Sequence, residues 1–419
     1  MNWFGELPAH WGVKRVRHIG TLKGGAGFPH ERQGRQDGEL PFFKVKDLGD
    51  AEMPLVSTDN YVSRETATEL RANVFPARTI VFAKVGAALM LNRFRILGVP
   101  GCIDNNMMGL TIDEGVMTVR FALSALALID FKIVANPGAV PSVNEGQVSD
   151  YPLPVPPLSE QLAIANFLDR ETARVDELVA AKQRVLDLLA EKRKAIIATA
   201  VTRGLDPKVK LRDSGVPWLG EIPAHWEIKR ARWHFRERDE RDESELPLME
   251  VSIANGVSVR EFSEDRIEAT AADFGTYKVA RRNDIAFNKM RMWQGAVGVS
   301  PADGLVSPDY VVAEPTGGML ASFAGLLFRT EMFSAECGRR SHGITWDRLR
   351  IYWDEFREIE LPVPPMHEQH AIVAHITHET AKIDAVLAAT ERTIALLKER
   401  RAALIAAAVT GQLDLEASA

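Results

Sequence analysis

Cysteine is almost missing from this sequence: Cys102 and Cys337 are the two present, they lie far apart, and they form no CxxC pair. A disulfide framework and a thiolate metal site are therefore excluded, and both read as small core residues. Long apolar runs are also lacking. The longest, near Phe121 to Ile129, is about half of what a bilayer span needs. Met1 to Val13 shows no basic stretch followed by an apolar one, so no secretory signal is read there and a cytoplasmic protein is expected. Nor is positive charge in excess. Lys and Arg number 51 against 57 Asp and Glu, a net −6 that by itself does not favour a nucleic-acid binder. Basic residues nevertheless gather locally, at Lys14, Arg15, Arg17, Lys23, Arg32 and Arg35 and again at Lys229, Arg230, Arg232, Arg236 and Arg238.

What is present is a chain of 419 residues, 46% apolar and 26% charged, long enough for more than one core. It is written twice. Gly5-Glu6-Leu7-Pro8-Ala9-His10-Trp11 returns as Gly220-Glu221-Ile222-Pro223-Ala224-His225-Trp226, each followed by a basic segment. Leu153-Pro154-Val155-Pro156-Pro157 with Glu160-Gln161 returns as Leu361-Pro362-Val363-Pro364-Pro365 with Glu368-Gln369. About half of the next fifty or so positions match, ending in Ala200-Val201-Thr202 and Ala408-Val409-Thr410. Between the matched ends, the stretches of about 18–150 and 233–358 share little beyond short apolar runs broken by Gly, Pro, Asn and Asp, the pattern of mixed, turn-rich domains.

The matched segments predict long helices. The proline pairs suit an extended approach or a first turn, Glu160 and Glu368 suit the positive helix N-terminus, and Gly204 and Gly411 stand where a glycine stop is expected. Apolar residues recur at sevenfold spacing in Leu168, Val175, Leu189 and Ile196, interrupted by Lys182, and in Ile376, Ile383, Leu397 and Leu404, interrupted by Thr390; Leu178, Val185 and Val386 fill part of a second seam position. A coiled-coil pair is the natural reading, and about 45 residues make a rod of roughly 60 Å. Chain order makes the pair antiparallel, with a domain at each end, a pseudo-twofold relation, and the chain's N-terminal segment beside the end of the second helix. The expected fold class is α+β: two mixed α/β domains, 1–152 and 207–360, joined by two spacer helix regions, 153–206 and 361–419.

The two Leu/Ile-Pro-Ala-His-Trp openings, the two Pro-Val-Pro-Pro-x-x-Glu-Gln helix approaches and the two-copy layout resemble the specificity subunits of type I restriction-modification systems, over essentially the whole chain. The resemblance implies two target-recognition domains, each reading one half of a bipartite DNA target, and helices that act as spacer and docking platform. It also implies two modification subunits carrying S-adenosylmethionine, and restriction/translocase subunits using ATP and Mg2+, with no cofactor, metal or catalytic residue in this chain. The sequence carries no Asn-Pro-Pro-aromatic methyltransferase motif, no phosphate loop and no convincing nuclease pattern.

For DNA contact, Ile80-x-Phe82-x-Lys84 and Ile285-x-Phe287-x-Lys289 read as strands with a lysine at the exit. Beyond the two lysines the domains diverge, with Asn92, Arg93 and Arg95 in one and Arg291, Trp293 and Gln294 in the other. Arg suits guanine, and Asn or Gln adenine, in the major groove. Lys44, Lys46, Asn105 and Asn106, and Arg339, Arg340 and His342, are further DNA-binding candidates. Glu160, Gln161, Glu368 and Gln369 are candidates for partner docking, with helix-dipole complementation an equally good reason for the glutamates. Trp11 and Trp226 read as anchors between domain and helix. Gly24-Gly25-Ala26-Gly27 reads as a flexible turn, and His367, His370, His375 and His378 as surface or seam residues.

Overall fold

The two proline pairs lead straight into the long helices Leu158–Arg203 and Met366–Val409, because the first N–H groups of a helix have no intrahelical acceptor and proline lacks only that donor. The structure is a computed structural model that describes residues 4–49, 54–241, 243, 245–260, 274–343 and 349–413. Both helices stop at a glycine of positive φ, +74° at Gly204 and +69° at Gly411. A Cβ at Gly411 would lie 2.5 Å from Pro8 and 3.2 Å from the Trp11 ring, and one at Gly204 would lie 3.3 Å from the Trp226 ring. Each helix thus ends under the Pro-Ala-His-Trp segment, which accounts for glycine at both stops and puts the first such segment beside the end of the second helix.

Two compact units divide the chain: Met1–Ala181 with Thr393–Ala419, and Lys182–Arg392. Each holds one mixed domain and one end of each long helix. In the first unit Ile164 and Leu168, near the start of the first helix, share a core with Ala408 and Val409 at the end of the second. In the second unit Ala200 and Val201 share a core with Ile372 and Ile376. Asp176 pairs with Arg401, and Arg193 with Asp384. Within each unit the two helix segments therefore run antiparallel.

Leu168, Val175, Ile376 and Ile383 are buried, as the sevenfold stripe predicts. Leu178, Val185 and Val386 are exposed instead. The helix ends also pack on the domains, through Ile164, Ala165 and Ile372, so burial follows a stripe offset from the second seam position. No described helix is long and apolar enough to cross a membrane.

Each domain repeats one frame. A strand after the Trp closes antiparallel on the strand before the helix: Gly12–Arg15 on Pro152–Val155, and Glu227–Arg230 on Glu360–Val363. A four-stranded antiparallel sheet comes next, in the spatial order first, fourth, second, third. In the first unit these are Gly20–Gly24, Met107–Ile112, Ile80–Ala83 and Phe94–Ile96; in the second, Phe235–Arg238, Tyr310–Pro315, Ile285–Asn288 and Val297–Val299. The additions to this frame differ. The first domain adds a sheet of Tyr61–Val62, Leu40–Phe43 and Cys102–Ile103, whereas the second adds the hairpin Met249–Ser252/Gly256–Val259 and the pair Lys278–Ala280/Gly304–Val306. Both thiols sit in the cores, where burial raises the pKa of Cys102 to about 11 and that of Cys337 well above the usual value.

Candidate nucleic-acid interface

The basic clusters are largely neutralised within the fold. Arg15 and Arg17 both reach Asp150, at 3.2 and 2.5 Å. Arg230 and Arg232 both reach Glu358, at 2.7 Å each. The same two-arginine staple thus closes the same strand pair in each unit. Arg32 pairs with Glu69, Arg236 with Glu314 and Arg238 with Asp284.

The sheets themselves point to one rim in each domain. In the first unit Ala83 faces Met107, and Phe43 faces Ile103. The adjoining residues are joined by backbone bonds: Lys84 N to Asn106 O at 2.8 Å, Asp104 N to Phe43 O at 2.9 Å, and Gly25 N to Met107 O at 3.1 Å. Lys44, Lys84, Asn105, Asn106 and the glycine segment are therefore brought together. Buried Asp104 shapes this rim by accepting from the backbone N–H of Asn106 at 2.8 Å and of Val45 at 3.4 Å. Burial raises its pKa despite these bonds. Asn105 and Asn106 are exposed. The glycine segment is no flexible turn: a Cβ at Gly25 would lie 2.0 Å from the Asp104 carbonyl oxygen, so close strand packing demands glycine.

Other candidates in this domain serve the fold. Asn92 adopts φ +52°, and its amide donates to the carbonyls of Ala127 and Ile129 at 2.7 and 3.2 Å. Arg95 donates to the carbonyls of Gly49 and Phe94 at 2.6 and 3.0 Å. Donors of both side chains are thus engaged by backbone carbonyls of the fold. Arg93 lies beside Gly49. Lys46 is exposed and paired with Asp59 at 2.6 Å, a hydrogen bond that raises its pKa, while Lys44 donates to Gln33 at 2.8 Å.

The second unit gathers its candidates at the corresponding rim. After Ile285–Asn288 the chain makes a turn at Met292–Gln294 that contacts the helix Glu331–Arg340. Arg291 and Gln294 are exposed, and the Trp293 indole donates to Met290 O at 2.9 Å. His342 and Arg350 exchange backbone bonds of 2.8 and 2.9 Å, Ile351 N donates to Lys289 O at 3.0 Å, and the Lys289 ammonium lies 5.8 Å from the Tyr352 ring centre. Arg339 and Arg340 converge on Glu336, and His342 lies 3.4 Å from Glu355. Sequence reading missed Arg350, Tyr352 and Glu336. The first two stand some sixty residues beyond Lys289 and carry no local signal, while the i, i+3, i+4 spacing of Glu336, Arg339 and Arg340 was a signal available.

The helix starts resolve the four docking candidates. Glu160 accepts from the indole of Trp11 at 2.9 Å and meets His10 at 2.9 Å. Glu368 accepts from the indole of Trp226 at 2.9 Å and meets His225 at 2.6 Å. Burial opposes charge on Glu368, but these two bonds outweigh it and hold its pKa below the ordinary carboxylate value. Gln161 is fully buried, accepting from Thr118 N at 2.7 Å and donating to the carbonyls of Val116 and Pro156. Gln369 is fully buried too, accepting from Leu320 N at 2.8 Å and donating to those of Gly318 and Pro364. Burial removes both glutamines from any docking surface. They clamp domain to helix, and the tryptophans are the anchors expected. His367, His370, His375 and His378 are all exposed.

Comparison with known proteins bears on this repeated frame. The family described as type I restriction modification DNA specificity domain matches residues 8–187, the first copy of the frame together with much of its helix. The first copy of the frame is therefore similar to this family's DNA specificity domain. It is 20% identical to the type I restriction enzyme EcoDI specificity subunit of Escherichia coli, over 98% of this chain and 90% of that one. It is also 20% identical to the EcoBI specificity subunit of the same organism, over 76% and 70%. Among solved structures, one from a study of complex assembly and conformational transition of the type I R-M system matches with a TM-score of 0.66 at 16% identity, covering 97% of this chain and all of that one. The HsdS subunit from Thermoanaerobacter tengcongensis matches with a TM-score of 0.53 at 15% identity, covering 99% of this chain and all of that one. These structures share the fold described here.

Proposed function

We propose that this chain is the sequence-reading subunit of a type I restriction-modification complex. Each domain, within 1–152 and 207–360, reads one half of a bipartite duplex target, and the helix regions 153–206 and 361–419 set the unread gap and dock the modification subunits. One observation carries the reading: a single frame is repeated with unlike chemistry at corresponding rims. Lys84 and Lys289 stand at the same strand exit, with no carboxylate partner among the described residues, and suit phosphates. The neighbours that face outward are Asn105 and Asn106 in one domain and Arg291, Gln294 and Arg339 in the other, and these suit base edges. Exposed Leu178, Leu188, Val386 and Leu396 on the helices give modification subunits apolar surface to cover.

In this reading the chain performs no reaction of its own. S-adenosylmethionine belongs to the two modification subunits, ATP and Mg2+ to the restriction/translocase subunits, and the assembly works on DNA in the cytoplasm. Mapping methylated sites in DNA from cells carrying the complete system tests it. Two unlike half-sites separated by a constant unread gap are expected. Methylation without sequence preference, or a single contiguous site, would defeat the proposal in favour of a scaffold with two protein-binding domains.

A further inference from the structure

The helix Glu331–Arg340 carries a buried carboxylate between two arginines, close to its C-terminal end. The Glu336 side chain is 2% exposed, whereas that of Arg339 is 66% exposed. Arg339 donates Nε to Oε2 and Nη2 to Oε1 of Glu336, each at 2.8 Å, and Arg340 donates Nε to Oε1 at 2.5 Å. Burial works against charge on Glu336, but the two guanidinium groups outweigh it and hold its pKa below the ordinary value. The face of this helix is seated on the recognition turn: a Cβ at Gly338 would lie 3.5 Å from Trp293 Cβ, and one at Gly295 would lie 3.6 Å from Ser334 Oγ.

This geometry clamps Arg339 by one edge and leaves the other free. With the Nε/Nη2 edge held, the hydrogens of Nη1 and the second hydrogen of Nη2 form an outward pair of donors. Such a pair matches O6 and N7 of guanine in the major groove. An unclamped surface arginine must be ordered when it binds, whereas this one is ordered beforehand by a carboxylate that is itself fixed by packing.

We propose that Glu336 is a positioning residue that presets Arg339 to read a guanine in the half-site of the second domain. The inference rests on the DNA-reading function proposed above. The test is competitive binding of the full chain, assembled with its modification subunits, to duplexes varied at each position of both half-sites and at several salt concentrations. Arg339→Ala and Arg339→Lys are expected to cut discrimination at one G·C pair of the second half-site by on the order of ten- to a hundredfold. Glu336→Gln should reduce it at the same pair, preferences in the first half-site should be untouched, and Arg339→Lys should keep the wild-type salt dependence because its charge remains.

Uniform weakening by Arg339→Ala across all sequences with a shallower salt dependence would identify a phosphate contact and overturn the inference. Wild-type discrimination in Glu336→Gln would overturn it equally. Should that variant fail to fold, Arg339→Lys, which leaves Glu336 in place, decides the matter. A wild-type complex with no preference in either half-site is the distinct outcome that sinks the proposed function itself.

Discussion

The first and second domains share a sheet order, a strand clasp and a helix clamp, yet they fill the space beside the sheet in different ways. In the first, Phe43, Leu55, Phe75 and Ile103 form an apolar core under the added strands, with Leu40, Phe42 and Cys102 in another. In the second, an apolar cluster around Met249 and Val251 is accompanied by an ionic network in which Arg281 meets Glu240, Glu243 and Asp303. The residues common to both are those that tie domain to helix; those that differ build the rim. Attachment tolerates one solution, because three backbone groups and an indole must be satisfied at each helix start. Rim chemistry is open to variation because solvent satisfies whatever the fold does not.

The sharpest challenge to this equivalence is Trp226→Ala against Trp11→Ala. Trp226 is fully buried, and its loss is expected to cost about 3–5 kcal/mol; Trp11 is only half-buried and should cost less. Denaturant unfolding followed by hydrogen exchange at the two helix starts checks the order, and a larger effect for Trp11 would break the comparison. Next come Gln161→Ala and Gln369→Ala. Each strands a backbone N–H and two carbonyls in a buried site, so each is expected to cost about 2–3 kcal/mol, equally in the two units. Unequal losses would mean that the clamps are not equivalent.

Asn92→Ala removes two hydrogen bonds and leaves alanine at positive φ, so a loss of about 1–2 kcal/mol in stability is expected. Its DNA preference should stay that of the wild type, and a changed half-site would restore Asn92 as a reader. Lys84→Ala and Lys289→Ala should each weaken duplex binding across all sequences and lower the salt slope by about one, as measured by titration at several ionic strengths.

The smallest effect is pH-dependent. The folded pKa of Glu368 lies below its unfolded value, so its contribution is complete above the unfolded pKa and is lost as pH falls through the lower, folded one. Glu368→Gln should flatten the acid limb of stability in the second unit. An unchanged limb would show that the His225 and Trp226 bonds do not set it.

Much of the frame was legible in the sequence because the repeat prints it twice. Matching Pro-Pro-x-x-Glu-Gln segments marked the helix starts, Gly204 and Gly411 their stops, and the shared Ile-x-Phe-x-Lys pattern the strand exits at Lys84 and Lys289. Less of the site was legible. Asn92 and Arg95 have the residue types that read bases, but type does not say whether a donor is already spent on a carbonyl. Gln161 and Gln369 recur at a helix start and so resembled a docking pair, though recurrence arises as readily from a buried clamp. Leu178, Val185 and Val386 fit a heptad that the packing of domains against helix ends displaces.

By itself, then, the sequence determined the two-copy plan, the extent of the long helices and the strands that end at the rims, because periodicity, proline and glycine act locally and a repeat reports itself. Only the tertiary structure decided which charges remain available. Arg15 and Arg17 are neutralised by Asp150, Arg230 and Arg232 by Glu358, and Glu336 organises Arg339 and Arg340. An ion pair depends on distance in space, and for all but the last of these the partners stand more than a hundred residues apart in the chain.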